Sequence, residues 1–167
     1  MSGRPAEMGA TSRLCVQSLA PPLARLWARL RAARMLRFEA RGAAACGWNG
    51  AGAGRVAVAE PLPGVLIYEE SGRWRPAGGQ EIAFRNALRW SSANGRLRLE
   101  HLRAGPERPL FLIELGPAAD GVWRARRPHH CGADRYDAAL ALEDDCVLFA
   151  WTVDGPRKRA WLEHRYR

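Results

Sequence analysis

The side chains best able to do chemistry gather near the C-terminus. Pro128-His129-His130-Cys131-Gly132-Ala133-Asp134-Arg135-Tyr136 brings together two imidazoles, a thiol, a carboxylate and a phenol, and Gly155-Pro156-Arg157-Lys158 adds a guanidinium and an amine. His130 is a candidate general base near neutral pH, with Asp134 to orient it and Tyr136 or Lys158 as the acid. Cys131 becomes a nucleophile only where a nearby cation lowers its pKa. His129, His130 and Cys131 make a poor chelate, because adjacent residues on a strand point to opposite faces, so no metal site is expected. The spacing fits a structural role better: Asp134 capping a turn and Tyr136 plugging a barrel. Lys158 stands apart, because it is the single lysine among 26 basic residues. An amine can do chemistry that a guanidinium cannot.

Such groups need a frame, and the composition bounds it. With 167 residues the chain is long enough to bury a core as one domain, and its 47% hydrophobic content is that of a folded protein. The net charge of +9 invites a nucleic-acid partner. The arginines, however, are scattered among acids and apolar residues with no lysine-rich run, so a merely basic surface is expected and no specific nucleic acid. Cys15, Cys46, Cys131 and Cys146 are widely spaced and form no C-x-x-C pair, which points to reduced thiols and a cytoplasmic location. No apolar run reaches the roughly 18 residues of a membrane span, and no uninterrupted signal-peptide core opens the chain.

Residues 1–22 read as a flexible extension and 23–167 as a single barrel domain with a leading helix. Pro21-Pro22 precede Leu23, Leu26, Trp27 and Leu30, an i, i+3, i+4, i+7 stripe on a short helix. Arg25, Arg29, Arg31 and Arg34 take much of its other surface. Packing across the end of a barrel is the expected role, and a membrane-surface or targeting helix is the rival.

From Met35 the period of two takes over. Strands are expected at about 35–45, 54–60, 64–75, 80–91, 96–103, 108–116, 121–128, 135–143, 146–153 and 158–166. Asn94-Gly95 signals a type I′ hairpin, and Gly78-Gly79, Asp120-Gly121 and Asp144-Asp145 mark other turns. Gly50, Gly52 and Gly54 read as a flexible link, and no helix follows them to make a phosphate-binding loop. A long meander must bury one face and manage its edges, which closure achieves. The fold expected is all-β: an antiparallel up-and-down, calycin- or lipocalin-like β-barrel of about 8–10 strands with a short N-terminal helix.

Alternation assigns the inner face. Ile82, Phe84, Asn86, Leu88 and Trp90 share one side of their strand, opposite Arg85 and Arg89. Leu97, Leu99 and His101 lie opposite Arg96, Arg98 and Glu100. Tyr136, Ala138, Leu140 and Leu142 share a face, as do Val147, Phe149, Trp151 and Val153. Inward Asn86 and His101 need partners: each other, a core hydroxyl, water or a ligand.

These residues also carry a resemblance. His130-Cys131-Gly132-Ala133-Asp134-Arg135-Tyr136, then Trp151-Thr152-Val153-Asp154-Gly155-Pro156-Arg157-Lys158, then Tyr166-Arg167 are joined upstream by Tyr68-Glu69-Glu70-Ser71-Gly72 and by Arg85 to Trp90. Over residues 27–167 the chain resembles the uncharacterised bacterial domain-of-unknown-function family 6314. That resemblance implies a small lipocalin-like barrel and brings no established activity. Members often carry a Phe-His pair where this chain has Phe111-Leu112, and residues 1–26 stand outside the resemblance.

The function expected is a cytoplasmic barrel that binds one small, largely apolar ligand with a polar or anionic end. Trp90, Phe149 and Trp151 would line the cavity, while Asn86, His101, Tyr136 and Arg157 or Lys158 would fix the polar end. An enzyme is the alternative: a barrel isomerase, cyclase or hydrolase built on His130, Asp134, Tyr136 and Lys158. A haem-binding barrel with a histidine ligand is a third reading. No cofactor, ligand identity or oligomeric state is assigned.

Overall fold

The computed structural model describes residues 21–42 and 49–167. Of the expected 1–22 extension, residues 1–20 lie outside them, as do Cys15 and Cys46, while Pro21 and Pro22 open the helix. One helix, α1 (Pro21–Ala32), leads into eleven strands: β1 (Met35–Gly42), β2 (Gly50–Leu62), β3 (Val65–Pro76), β4 (Ile82–Ala93), β5 (Arg96–His101), β6 (Leu110–Pro117), β7 (Trp123–Ala125), β8 (His129–Cys131), β9 (Asp134–Leu142), β10 (Val147–Gly155) and β11 (Lys158–Tyr166).

Every pairing is antiparallel, and neighbours in sequence are neighbours in the sheet except where closure and the β8 hairpin intervene. β1 pairs with β11 (Leu36 opposite Tyr166, Gly42 opposite Ala160), β11 with β10, and β10 with β9. β7 pairs with β9 directly, and β8 is a short hairpin arm on β9 outside the ring. The ring therefore holds ten strands, an up-and-down barrel without a free edge.

Turn chemistry explains the connections. Asn94 (φ 51°) and Gly95 (φ 68°) both sit in the left-handed region, as a two-residue type I′ turn demands, and join Ala93 to Arg96. Two sequence expectations change. The stretch from Gly50 to Gly54 is the first half of β2, paired with β1 and β3, and is not a loose link. Residues 129–131, expected as part of a turn, form β8.

α1 closes one end. Leu23, Leu26, Trp27 and Leu30 are buried together with Leu36, Val56, Leu66 and Tyr68. The Tyr68 hydroxyl donates to the Leu30 carbonyl (2.5 Å), one of the last carbonyls of α1, which also accepts from the Ala33 amide (3.2 Å). The helix arginines are largely occupied: Arg29 donates to the Asp144 carbonyl (2.8 Å) and Arg31 pairs with Glu60 (3.3 Å). Packing, not a free amphipathic surface, accounts for the stripe.

Because Leu36 and Val147 both face Tyr166 while Gly155 faces Lys158, the His129–Asp134 segment and Lys158 lie at the end away from α1. The inner faces follow alternation: Leu97, Leu99, Ala138, Leu140, Val147, Phe149 and Val153 are buried. Ile82 departs, being half exposed at the distal end of β4. Glu100 departs too. A register shift between Leu99 and Glu100 tucks its carboxylate beneath Arg89 (2.7 Å) and Arg98 (3.1 Å), so it is buried outside the ring.

Candidate functional site

A cavity of about 820 Å³ reaches the end of the barrel away from the helix and runs along β11 from Lys158 to Tyr166. Its walls are mostly apolar: Leu88, Leu99, Leu112, Phe149, Trp151 and Leu162. These come from β4, β5, β6, β10 and β11, and all but β6, which adds the consecutive Leu110, Phe111 and Leu112, contribute every second residue.

Polar groups mark its two ends. At the mouth, Lys158 pairs with Asp134 (2.9 Å) across the gap between β11 and the start of β9. That carboxylate holds the ammonium proton, so the Lys158 pKa lies above its ordinary value and the amine stays charged. Beside it, His129 packs edge-on to Phe111 (5.8 Å between centroids) and tilted against Tyr136 (6.1 Å), while Arg98 covers the Phe111 ring (5.0 Å). His130, Cys131 and Gly132 complete the rim.

The inner end is built on Glu70 of β3, only 4% exposed. Its Oε1 accepts from the Tyr166 hydroxyl (2.8 Å) and its Oε2 from the Asn86 amide (2.9 Å). Burial raises the carboxyl pKa, although both hydrogen bonds pull it down. Tyr166, fully enclosed and bonded to that carboxylate, is pushed well above its normal range. His164 lies parallel to Tyr166 (6.3 Å) and to Phe38 (5.7 Å). Its Nδ1 is shielded and has no hydrogen-bond partner, and burial takes the imidazole down to about 4. The ring is neutral at physiological pH.

The residues singled out from sequence separate into three groups. Asn86, His101, Tyr136, Phe149, Trp151 and Lys158 line this cavity, as do His130 and Cys131. His101 accepts the Arg103 amide through Nδ1 (3.0 Å), and burial, with the Arg103 charge, lowers its pKa. Asp134 is beside the cavity but spends its carboxylate on Lys158 and makes no hydrogen bond to His130. Trp90 and Arg157 are elsewhere. Trp90 is fully buried behind Phe149, edge-on at 5.2 Å, and Arg157 is exposed in the β10–β11 turn. No group of three metal-ligating side chains occurs among the described residues.

Sequence reasoning missed Glu70, His164 and Tyr166 as a set. The signal was present: Tyr68 and Glu70 alternate on β3, and Leu162, His164 and Tyr166 on β11. What sequence could not supply is the barrel closure that brings positions 96 apart into contact.

The segments around Tyr68–Gly72, Arg85–Trp90, His130–Tyr136, Trp151–Lys158 and Tyr166–Arg167 thus surround one cavity. Residues 30–167 match the family of unknown function DUF6314. The chain belongs to this family. No curated protein matches it. In this member of DUF6314 the Tyr-x-Glu strand and the C-terminal Tyr-Arg meet in a single hydrogen bond, Tyr166 to Glu70.

Proposed function

We propose that this DUF6314 member is a calycin-like carrier that holds one small, largely apolar ligand inside its barrel. The cavity carries this reading: about 820 Å³ with mostly aliphatic and aromatic walls, His101 and Arg103 on the flank, and the other polar groups toward its two ends. An apolar body would lie against Leu88, Leu99, Phe149, Trp151 and Leu162. A polar or anionic outer end would meet Lys158 and Tyr136 at the mouth, with His101 on the flank, where an ammonium already charged can take a carboxylate or phosphate oxygen. No helix among the described residues is long and apolar enough to cross a membrane, and a cytoplasmic location forms part of the proposal.

An acid–base enzyme is supported less well. The expected dyad needs Asp134 to orient His130, whereas the carboxylate is engaged by Lys158. Lys158, held above its ordinary pKa, is a weak proton donor at neutral pH.

Native mass spectrometry of the purified chain beside its denatured mass, with an absorption spectrum of the same sample, tests the proposal. A native mass excess is expected that disappears when His101→Ala and Tyr136→Phe are combined in a variant with unchanged circular dichroism. A Soret band would replace this reading with haem binding. Retention undiminished in the double variant would remove His101 and Tyr136 from the site.

A further inference from the structure

The inner end of the cavity has a chemistry of its own. The chain buries two glutamates among its described residues, each 4% exposed, and treats them differently. Glu100 is neutralised by Arg89 and Arg98. Glu70 receives only two uncharged donors, the Asn86 amide and the Tyr166 hydroxyl, and no cation bears on it. A carboxylate carries about four acceptor positions, so two donors leave capacity unused. A buried carboxylate without a cation is costly, and one further donor offsets much of that cost.

The unused side of Glu70 meets open volume. Glu70 and Asn86 line the barrel cavity and also a second cavity of about 910 Å³ bounded by Arg34, Met35, parts of β2–β4, His101 and Arg103. Next to them, the Tyr166 hydroxyl is already directed at the carboxylate and one Asn86 N–H is likewise engaged, so the groups left to meet a ligand are chiefly acceptors: the spare positions of Glu70 and the Asn86 Oδ1, against one Asn86 N–H. An inward-pointing carboxylate or phosphate would set acceptor against acceptor there, and an inward methyl would leave the acceptor dry.

We propose that the floor of the cavity selects ligands whose inner end is a hydrogen-bond donor, an amine or a hydroxyl, seated on Glu70. The inference rests on the carrier reading and adds the polarity of the ligand: donor inward, apolar middle, any anionic group outward at Lys158. It makes Glu70 the specificity-determining residue, with Asn86 and Tyr166 as the residues that position its carboxylate.

The test is calorimetric titration of the full chain at neutral pH with three probes of matched length: n-octylamine, 1-octanol and octyl methyl ether. The amine and the alcohol should both bind more tightly than the ether. The amine should lead it by about tenfold or more, the size of a hydrogen bond to a charged partner. In Glu70→Gln the amine should lose more affinity than the alcohol, and the ether should be unaffected. Equal affinity of ether, alcohol and amine for the wild-type chain would overturn the inference and leave the carrier reading intact, and so would an amine-to-ether ratio unchanged in a folded Glu70→Gln variant. If that variant does not fold, the wild-type ordering decides. Binding of none of the three would overturn both.

Discussion

Two residues on the inner face carry opposite pH behaviour. His164 titrates at about 4 in the folded chain because its imidazolium would be desolvated, against about 6.5 when unfolded. Between those values the unfolded state binds the proton and the folded state does not. Stability therefore rises with pH across the window and is lost as pH falls through it. Glu70 acts the other way: its raised pKa means that the folded state keeps a proton the unfolded state has released, so stability falls as pH climbs above the ordinary carboxyl range. Chemical denaturation of wild type and His164→Gln at several pH values separates the two, since both chains share Glu70. The wild type should lose roughly 3 kcal/mol relative to the variant between pH 7 and pH 4. A constant difference over that range would mean that His164 is not held neutral by burial.

At the scale of elements, β2 shows what the sequence disclosed and what it hid. Its glycines look like a flexible link because Gly disfavours strands. In the barrel their missing side chains are the reason the strand fits. The Phe38 ring lies where a side chain at Gly52 would project, and Gly54 faces Gly72 of β3 with backbones in close approach. A Cβ on Gly72 would run into the Ala53 carbonyl and the Gly54 backbone, neither of which is a flexible side-chain end. Gly72→Val should therefore cost about 1–3 kcal/mol, the usual penalty of overpacking, despite the higher strand propensity of valine. Equilibrium denaturation checks this, and a neutral or stabilising result would show that β2 and β3 can separate. Periodicity identified nearly every strand and the α1 stripe, because each expresses a local pattern. The β2 glycines and the three-residue β8 were illegible, because their reasons lie in the strands beside them.

At the scale of the whole molecule, closure is what turns a meander into a container, and alternation alone cannot specify it. A run of hairpins has the same two-residue period whether its ends meet or hang free. Here the seam is the pairing of β1 with β11, joining residues more than a hundred positions apart, such as Ala40 with Leu162. Beside it, the Arg167 carbonyl accepts from the amides of Arg34 (2.5 Å) and Met35 (2.8 Å), tying the end of β11 to the start of β1 just beyond α1. The seam also carries part of the proposed floor, since Tyr166 belongs to β11 and reaches Glu70 only because the ring is shut. Contacts of such sequence separation form late and give cooperative unfolding. Ala40→Pro, which removes a ladder donor in the buried middle of β1, should thus destabilise the whole barrel by about 3 kcal/mol or more. Near-ultraviolet signals from Trp90, Trp123 and Trp151, spread around the ring, should vanish in the same denaturant transition as the far-ultraviolet strand signal. If the tryptophan environments distant from the seam survive while β1 detaches, the barrel is a sheet with a loosely docked edge, and the cavity floor does not depend on closure.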